Sequence, residues 1–297
     1  MRLVTRGDLD GLTCAVIICQ HEKIDEILLI HPQDITENRV EILANDIIAN
    51  LPYHPNCGMW FDHHLHTATP TARPVHFKGK FGQAPSAARL VYEYYGGSEK
   101  MPRLTKLVWE TDRLDSANLT PGDVTDPQGF IKIGFTIDGR TGMGSFQEYF
   151  HTLVQLLIRK TPLDEILEHP DVLARCEMME EQAEVFQEAL DTHSRVDGNV
   201  IITDFRPLER PPVGNRFLIY ALYPDANVSM RLQWGPQRQF QMLTLGHSIF
   251  NRTCKTNVGE LAARYGGGGH KGAGSIPLME GPEQQVQMIL SELKSKG

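Results

Sequence analysis

The chain has 297 residues, a formal net charge of −8, 41% hydrophobic and 22% charged residues. That is the make-up of a globular protein with one large domain or two ordinary ones, and its acidic balance argues against a general nucleic-acid coat protein. No apolar run is long enough to cross a bilayer, and MRLVTRGDLDG turns polar too early for a secretory signal, so the cytoplasm is the expected compartment.

The five cysteines are scattered, without CxxC spacing, which speaks against a disulfide framework or a zinc ribbon. Charge is unevenly spread. Between Val200 and Ser275 nine Lys/Arg stand against four Asp/Glu, so the rest of the chain is strongly acidic. An acidic front that holds cations and a basic back that holds an anionic substrate would produce this pattern, and so would chance.

The first half alternates strand-like and helix-like pieces. RLVT, EILLIHP and GMWFDHH read as strands. LTCAVIICQHE and APSAARLVYEYYGG read as helices, and RVEILANDIIANL is mixed. Such alternation predicts βαβ units around a parallel sheet. From Met101 the pattern turns helical, through RLTKLVWETDRLD and SFQEYFHTLVQLLIRK to one or two long helices over 162–193. SRVDGN, at 194–199, reads as a polar linker. NVIITDF, NVSMRLQW and FQMLTLGHS then predict strands of a smaller α/β unit.

Three stretches carry chemistry. TRGDLDGLTCA sets Asp8 and Asp10 directly after a strand. Alternation along an extended segment puts both carboxylates on one side, where they can bind adjacent cations. Gly11 allows a tight turn into the next helix. Ordinary turns also use Asp and Gly, so this stretch alone reads either way.

GMWFDHHLHTATP carries Asp62, His63 and His64 after the apolar Met59, Trp60 and Phe61. Such groups are costly to bury without partners. Open α/β sheets take ligands beyond the carboxyl ends of their strands, and mixed His and carboxylate sets suit manganese, iron or zinc. A solvated His-rich turn is the plain alternative. A second acidic strand end in the same chain favours the metal. GGGGHKGAG, Gly266 to Gly274, offers backbone N–H groups with His270 and Lys271 beside them. A loop of this kind can close on phosphate oxygens. A flexible linker is the bland reading, but linkers rarely set His-Lys amid small residues.

These motifs, in this order, resemble the DHH phosphoesterase superfamily over nearly the whole chain. FDHH is similar to the motif that names it, and GGGGHKGAG to the glycine motif of its associated C-terminal domain. The resemblance implies an α/β protein: an N-terminal parallel-sheet catalytic domain (1–193), a linker (194–199) and a smaller C-terminal α/β domain (200–297), with the active site in the cleft between them. It implies two divalent metal ions, manganese first and magnesium as the alternative. Asp8 and Asp46 would bind one ion. Asp10, Asp46, His63 and Asp112 would bind the other, with Asp46 bridging. Asp46 is chosen because it follows an apolar stretch in EILANDIIANL, although a helix surface would explain it too. ETDRLDSAN matches a D-x-x-D-S pattern, which favours Asp112 as ligand and leaves Asp115 a supporting or capping role. Asp62 would orient a histidine, and His64 would face the substrate as proton donor. His270, the N–H groups of Gly267, Gly268 and Gly269, and Arg252 would hold the phosphate.

The implied activity is metal-dependent hydrolysis of short oligoribonucleotides or nucleotides, as in the nano-RNase branch. Inorganic polyphosphate is the alternative substrate within the class. A base-stacking platform would separate the two, and Tyr265 or Phe250 could supply one if either is not simply core. One departure stands out: members often carry a histidine at the position of Val4. That leaves a non-catalytic nucleotide or nucleic-acid binding module as the alternative from another class. No membrane partner is expected, and a homodimer is compatible with this reading.

Overall fold

A computed structural model describes residues 1–64, 76–139, 143–279 and 281–296. Two compact units divide the chain: Met1–Asn118 with Pro127–Met178, and Leu119–Asp126 with Met179–Gly297. None of the described helices is long and apolar enough to cross a membrane.

The first unit is built on five parallel strands: β1 Arg2–Thr5, β2 Glu26–Leu29, β3 Ile47–Ala49, β4 Met59–Asp62 and β5 Gly79–Phe81. Their order is β2-β1-β3-β4-β5. The chain first steps from β1 to β2, then crosses back to place β3 on the other side of β1. That reversal is the topological switch point at which open α/β sheets bind ligands. Every residue of β3 and β4 is buried, as a sheet covered on both faces requires.

Behind β1 comes the helix Leu9–His21, in which each residue from Leu9 to Ile18 is buried. LTCAVIIC is apolar on all sides because the sheet and the helices Ala87–Tyr94, Thr105–Asp115 and Phe146–Ile158 surround it. Each Leu, Ile or Val buried there contributes about 1.5–3 kcal/mol. Gly11 is needed for close approach rather than for a tight turn: a Cβ on it would stand 1.9 Å from the Arg6 carbonyl oxygen.

The second unit holds β6 Ser194–Asp197, β7 Val200–Asp204, β8 Val228–Trp234, β9 Gln241–His247, β10 Gly268–His270 and β11 Ala273–Leu278. The order is β10-β11-β9-β8-β7-β6, antiparallel throughout except for the β7–β8 pair. Val200, Val228, Met230, Leu243, Leu245 and Ile276 alternate inward and form one core with Val258 and Leu261 of the helix Val258–Arg264 and Ile289 of the helix Pro282–Lys296.

The expected linker at 194–199 is not one. Ser194–Asp197 is a strand, and Asp197 pairs with Val200 across the two-residue turn Gly198-Asn199, with Gly198 at φ +65°. Polar turn composition here serves a hairpin. The division falls instead inside the helix Pro170–His193, between Met178 and Met179.

Candidate metal centre

The site grows from the carboxyl ends of β1, β3 and β4. Asp8 caps the helix Leu9–His21: its Oδ1 accepts from Gly11 N at 2.8 Å and from Asn50 Nδ2 at 3.0 Å. Burial pushes its pKa up, against the opposing charge of Arg6, whose Nε lies 3.1 Å away. Asp10, one helical residue further in, is fully enclosed. Its Oδ2 accepts from Ala87 N at 2.9 Å and its Oδ1 from Ala88 N at 2.7 Å. These are the first N–H groups of the helix Ala87–Tyr94, a helix end that favours an anion by up to about 2 kcal/mol. That is not enough. Burial, followed by the charges of Asp115 and Asp8, holds the Asp10 pKa well above the usual carboxylate range.

His63 follows β4. Its Nδ1 lies 3.0 Å from the Ala84 carbonyl oxygen, which can only accept, so Nδ1 carries the proton. Nε2 is then a lone pair in the neutral ring. It stands 3.1 Å from Asp115 Oδ2 and 3.8 Å from Asp10 Oδ2. A lone pair facing two carboxylates needs a positive charge among them. Without metal, a second proton serves: burial lowers the imidazole pKa, but Asp115 and Asp10 outweigh it and raise the value to about 9. A divalent cation serves as well, and Asp10, His63 and Asp115 each offer an atom within 4.8 Å of the others.

Orphaned polar atoms mark the same place. Thr5 Oγ1, Asn50 Oδ1 and Asp62 Oδ2, and His63 Nε2 while its ring is neutral, are buried without a hydrogen-bond partner. All four belong to the carboxyl ends of β1, β3 and β4. A metal ion would satisfy such a set of oxygen and imidazole donors. Asp62 Oδ1, by contrast, is heavily used. It accepts from His63 N at 2.9 Å and from His64 N at 3.3 Å, and it pairs with His64 Nδ1 at 2.7 Å. Asp62, His63 and His64 form a second group with ligand spacing.

Two expected ligands lie elsewhere. Asp46 precedes β3 and so sits at the amino end of the sheet, opposite the site. Its carboxylate is already satisfied by Arg2 Nη2 at 2.6 Å, Arg2 Nε at 3.1 Å and Leu43 N at 2.8 Å. The residue at the carboxyl end of β3 is Asn50. Asp112 turns away from His63: Oδ1 accepts from Ser86 Oγ at 2.6 Å, and Oδ2 from Arg89 Nε and Nη2 at 2.9 and 2.5 Å. It anchors the start of the helix whose N–H groups hold Asp10. Asp115, nearly one turn on, takes the place expected for Asp112. Val4 is fully buried in the core cluster with Ile30, Ile48 and Trp60.

In the second unit the glycine stretch forms a hairpin. Gly268 pairs with Ser275, Gly269 with Gly274 and His270 with Ala273. Gly266, at φ +76°, ends the helix Val258–Arg264. Its N–H donates to Ala263, and the Gly267 N–H donates to Ala262 at 2.9 Å, a Schellman ending. The Gly267 N–H is therefore committed, not offered to phosphate. Gly268, Gly269, His270 and Arg252 are exposed, and Arg252 Nε donates to the Ile249 carbonyl at 2.9 Å. Tyr265 packs against the core of this unit, and Phe250 is half-buried.

No family model matches the sequence, and no curated protein does. Solved structures do match. The chain is similar to PggH, a pGpG-specific phosphodiesterase from Vibrio cholerae, with 38% identity and a TM-score of 0.86 over 100% of this chain and 99% of that one. It is similar to the DHH domain of a member of a family of ribosomal proteins, at 14% identity and a TM-score of 0.59, over 99% of this chain and 87% of the other. RecJ from Thermus thermophilus, in complex with Mn2+, matches at 13% identity and a TM-score of 0.55, over 99% of this chain and 51% of that one. These two share the fold, while the Vibrio enzyme is alike in sequence from end to end. On that full-length likeness, and with the strand-end groups of its name-giving motif in place, the chain belongs to the DHH superfamily and is a phosphoesterase.

Proposed function

We infer that the protein is a metal-dependent phosphodiesterase of short nucleotides, with a 5′-phosphorylated dinucleotide such as pGpG as its preferred substrate. The observation that carries the metal requirement is the His63 Nε2 lone pair set against Asp10 and Asp115. The substrate class follows from the full-length relative, which is pGpG-specific. Mn2+ or Mg2+ suits the donor set, and the family resemblance implies two ions. Asp10, His63 and Asp115 would hold one, and Asp8 would face the second. Bound divalent ions supply charge neutralisation at phosphorus and activation of water.

The chain's own groups would do the rest. Asp62 Oδ1 accepts from the His64 Nδ1–H and so would fix the orientation of the ring. The His64 Nε2–H would protonate the leaving 3′-oxygen as its bond to phosphorus breaks. Water adds to phosphorus, so one dinucleotide and one water give two mononucleotides. Arg252, His270 and the Gly268–Gly269 edge would take the terminal phosphate.

A substrate panel tests this reading: pGpG, longer oligoribonucleotides, 3′-phosphoadenosine 5′-phosphate and polyphosphate, each with Mn2+, with products separated by chromatography. Conversion of pGpG to GMP ahead of every longer chain is expected. Turnover of polyphosphate with none of the nucleotides would overturn it.

A further inference from the structure

Asn50 belongs to none of the three chemistry-bearing motifs, yet it stands among their residues. It follows β3 directly, is 1% exposed and holds φ at +57°. The preceding residue, Ala49, pairs with Thr5 on one side and with Phe61 on the other, so Asn50 lies one step beyond Thr5. The Asn50 N–H donates to the Phe61 carbonyl at 3.0 Å, which ties the residue to the end of β4.

The contact with Asp8 decides which end of the amide is which. A carboxylate accepts, so the NH2 group faces Asp8 Oδ1 at 3.0 Å. Oδ1 must then point elsewhere, and it is buried with no partner. An amide oxygen stranded in this way bears the desolvation penalty of burial with no bond to offset it. A turn that needed only a positive φ would be served by glycine without that cost. Two more buried oxygens at the carboxyl ends of the flanking strands lack a partner, Thr5 Oγ1 of β1 and Asp62 Oδ2 of β4.

We propose that Asn50 is a metal ligand through Oδ1: a neutral oxygen donor to an oxygen-preferring divalent cation, Mn2+ or Mg2+. One amide would serve two ends. Its oxygen meets the cation, and its NH2 holds Asp8 in place beside it. A neutral group at this strand end also limits the negative charge packed together beside Asp8 and Asp10. The inference rests on the metal-dependent reading above.

Calorimetric titration of Mn2+ into chelator-stripped protein tests it, with thermal melts in chelator and in Mn2+ beside it. Asn50→Gly keeps the backbone conformation and removes the donor. It is expected to fold in chelator and to bind Mn2+ at least about 10-fold more weakly. Asn50→Asp keeps an oxygen but sets a carboxylate against Asp8. It is expected to melt below wild type in chelator and to gain more from Mn2+ than wild type does. If Asn50→Gly binds Mn2+ with wild-type affinity and stoichiometry, Asn50 is a turn residue and the inference is wrong. Wild type that takes up no Mn2+ overturns the metal reading itself, and this inference with it.

Discussion

Asp46 carries the sharpest prediction, because sequence and structure give it opposite jobs. As a bridging ligand, its loss would abolish metal binding and leave the fold alone. In the structure its carboxylate is fully buried and accepts from two nitrogens of Arg2 and from Leu43 N. Asp46→Ala strands the Leu43 N–H and leaves a guanidinium that is 19% exposed without its counter-ion. Breaking a buried pair from one side costs about 3–5 kcal/mol. Arg2 keeps the Glu41 carbonyl at 2.7 Å and some access to water, which points to the lower end, about 3 kcal/mol. Urea unfolding of Asp46→Ala, Arg2→Ala and the double variant would measure this. The two single losses should overlap strongly, since both break the same contact. Mn2+ affinity of the folded Asp46→Ala protein should match wild type. Loss of Mn2+ binding with little loss of stability would refute the assignment.

Further outcomes follow from the same geometry. Asp115→Asn removes a charge that faces His63 and should weaken Mn2+ binding by about 10–100-fold or more. Asp112→Asn should differ: it disturbs Ser86 and Arg89 and costs stability first, with metal affinity reduced only through Asp10. Without metal, His63 should keep its second proton up to about pH 9. Its raised pKa then stabilises the metal-free fold in full below the ordinary value of 6.5, and that contribution is lost as pH climbs through 9. Mn2+ must displace the proton, so its affinity should rise with pH across this window and level off above it; calorimetry that finds a flat affinity contradicts the pairing. Gly11→Ala pushes a methyl group into the Arg6 carbonyl and should cost about 1–3 kcal/mol, seen as a lower urea midpoint.

Much of the first unit was legible because its signals are local. RLVT is β1 residue for residue. An apolar run such as LTCAVIIC can only be a buried element, and MWFD ends where polar groups begin. The short glycine-bearing strands β5 and β10 escaped, since three residues carry no periodicity. The hairpin at Gly198 looked like a linker because turns and linkers share a composition. The ligand errors share one cause. A motif gives spacing but not direction. Asp46 and Asn50 flank the same three-residue strand, and only the strand's polarity says which end meets Asp8. Likewise Asp112 and Asp115 lie three residues apart on one helix, and a partner in space, Arg89, decides which carboxylate is already taken.

We propose that the cluster at the ends of β1, β3 and β4 is a metal-dependent phosphodiesterase centre. The most direct measurement is GMP release from pGpG by chelator-stripped protein, before and after Mn2+ is restored, in wild type and in Asp115→Asn. No release is expected without metal, recovery is expected with Mn2+ in wild type, and none in the variant. Cleavage that persists in chelator, or a variant that cleaves as fast as wild type, would contradict it.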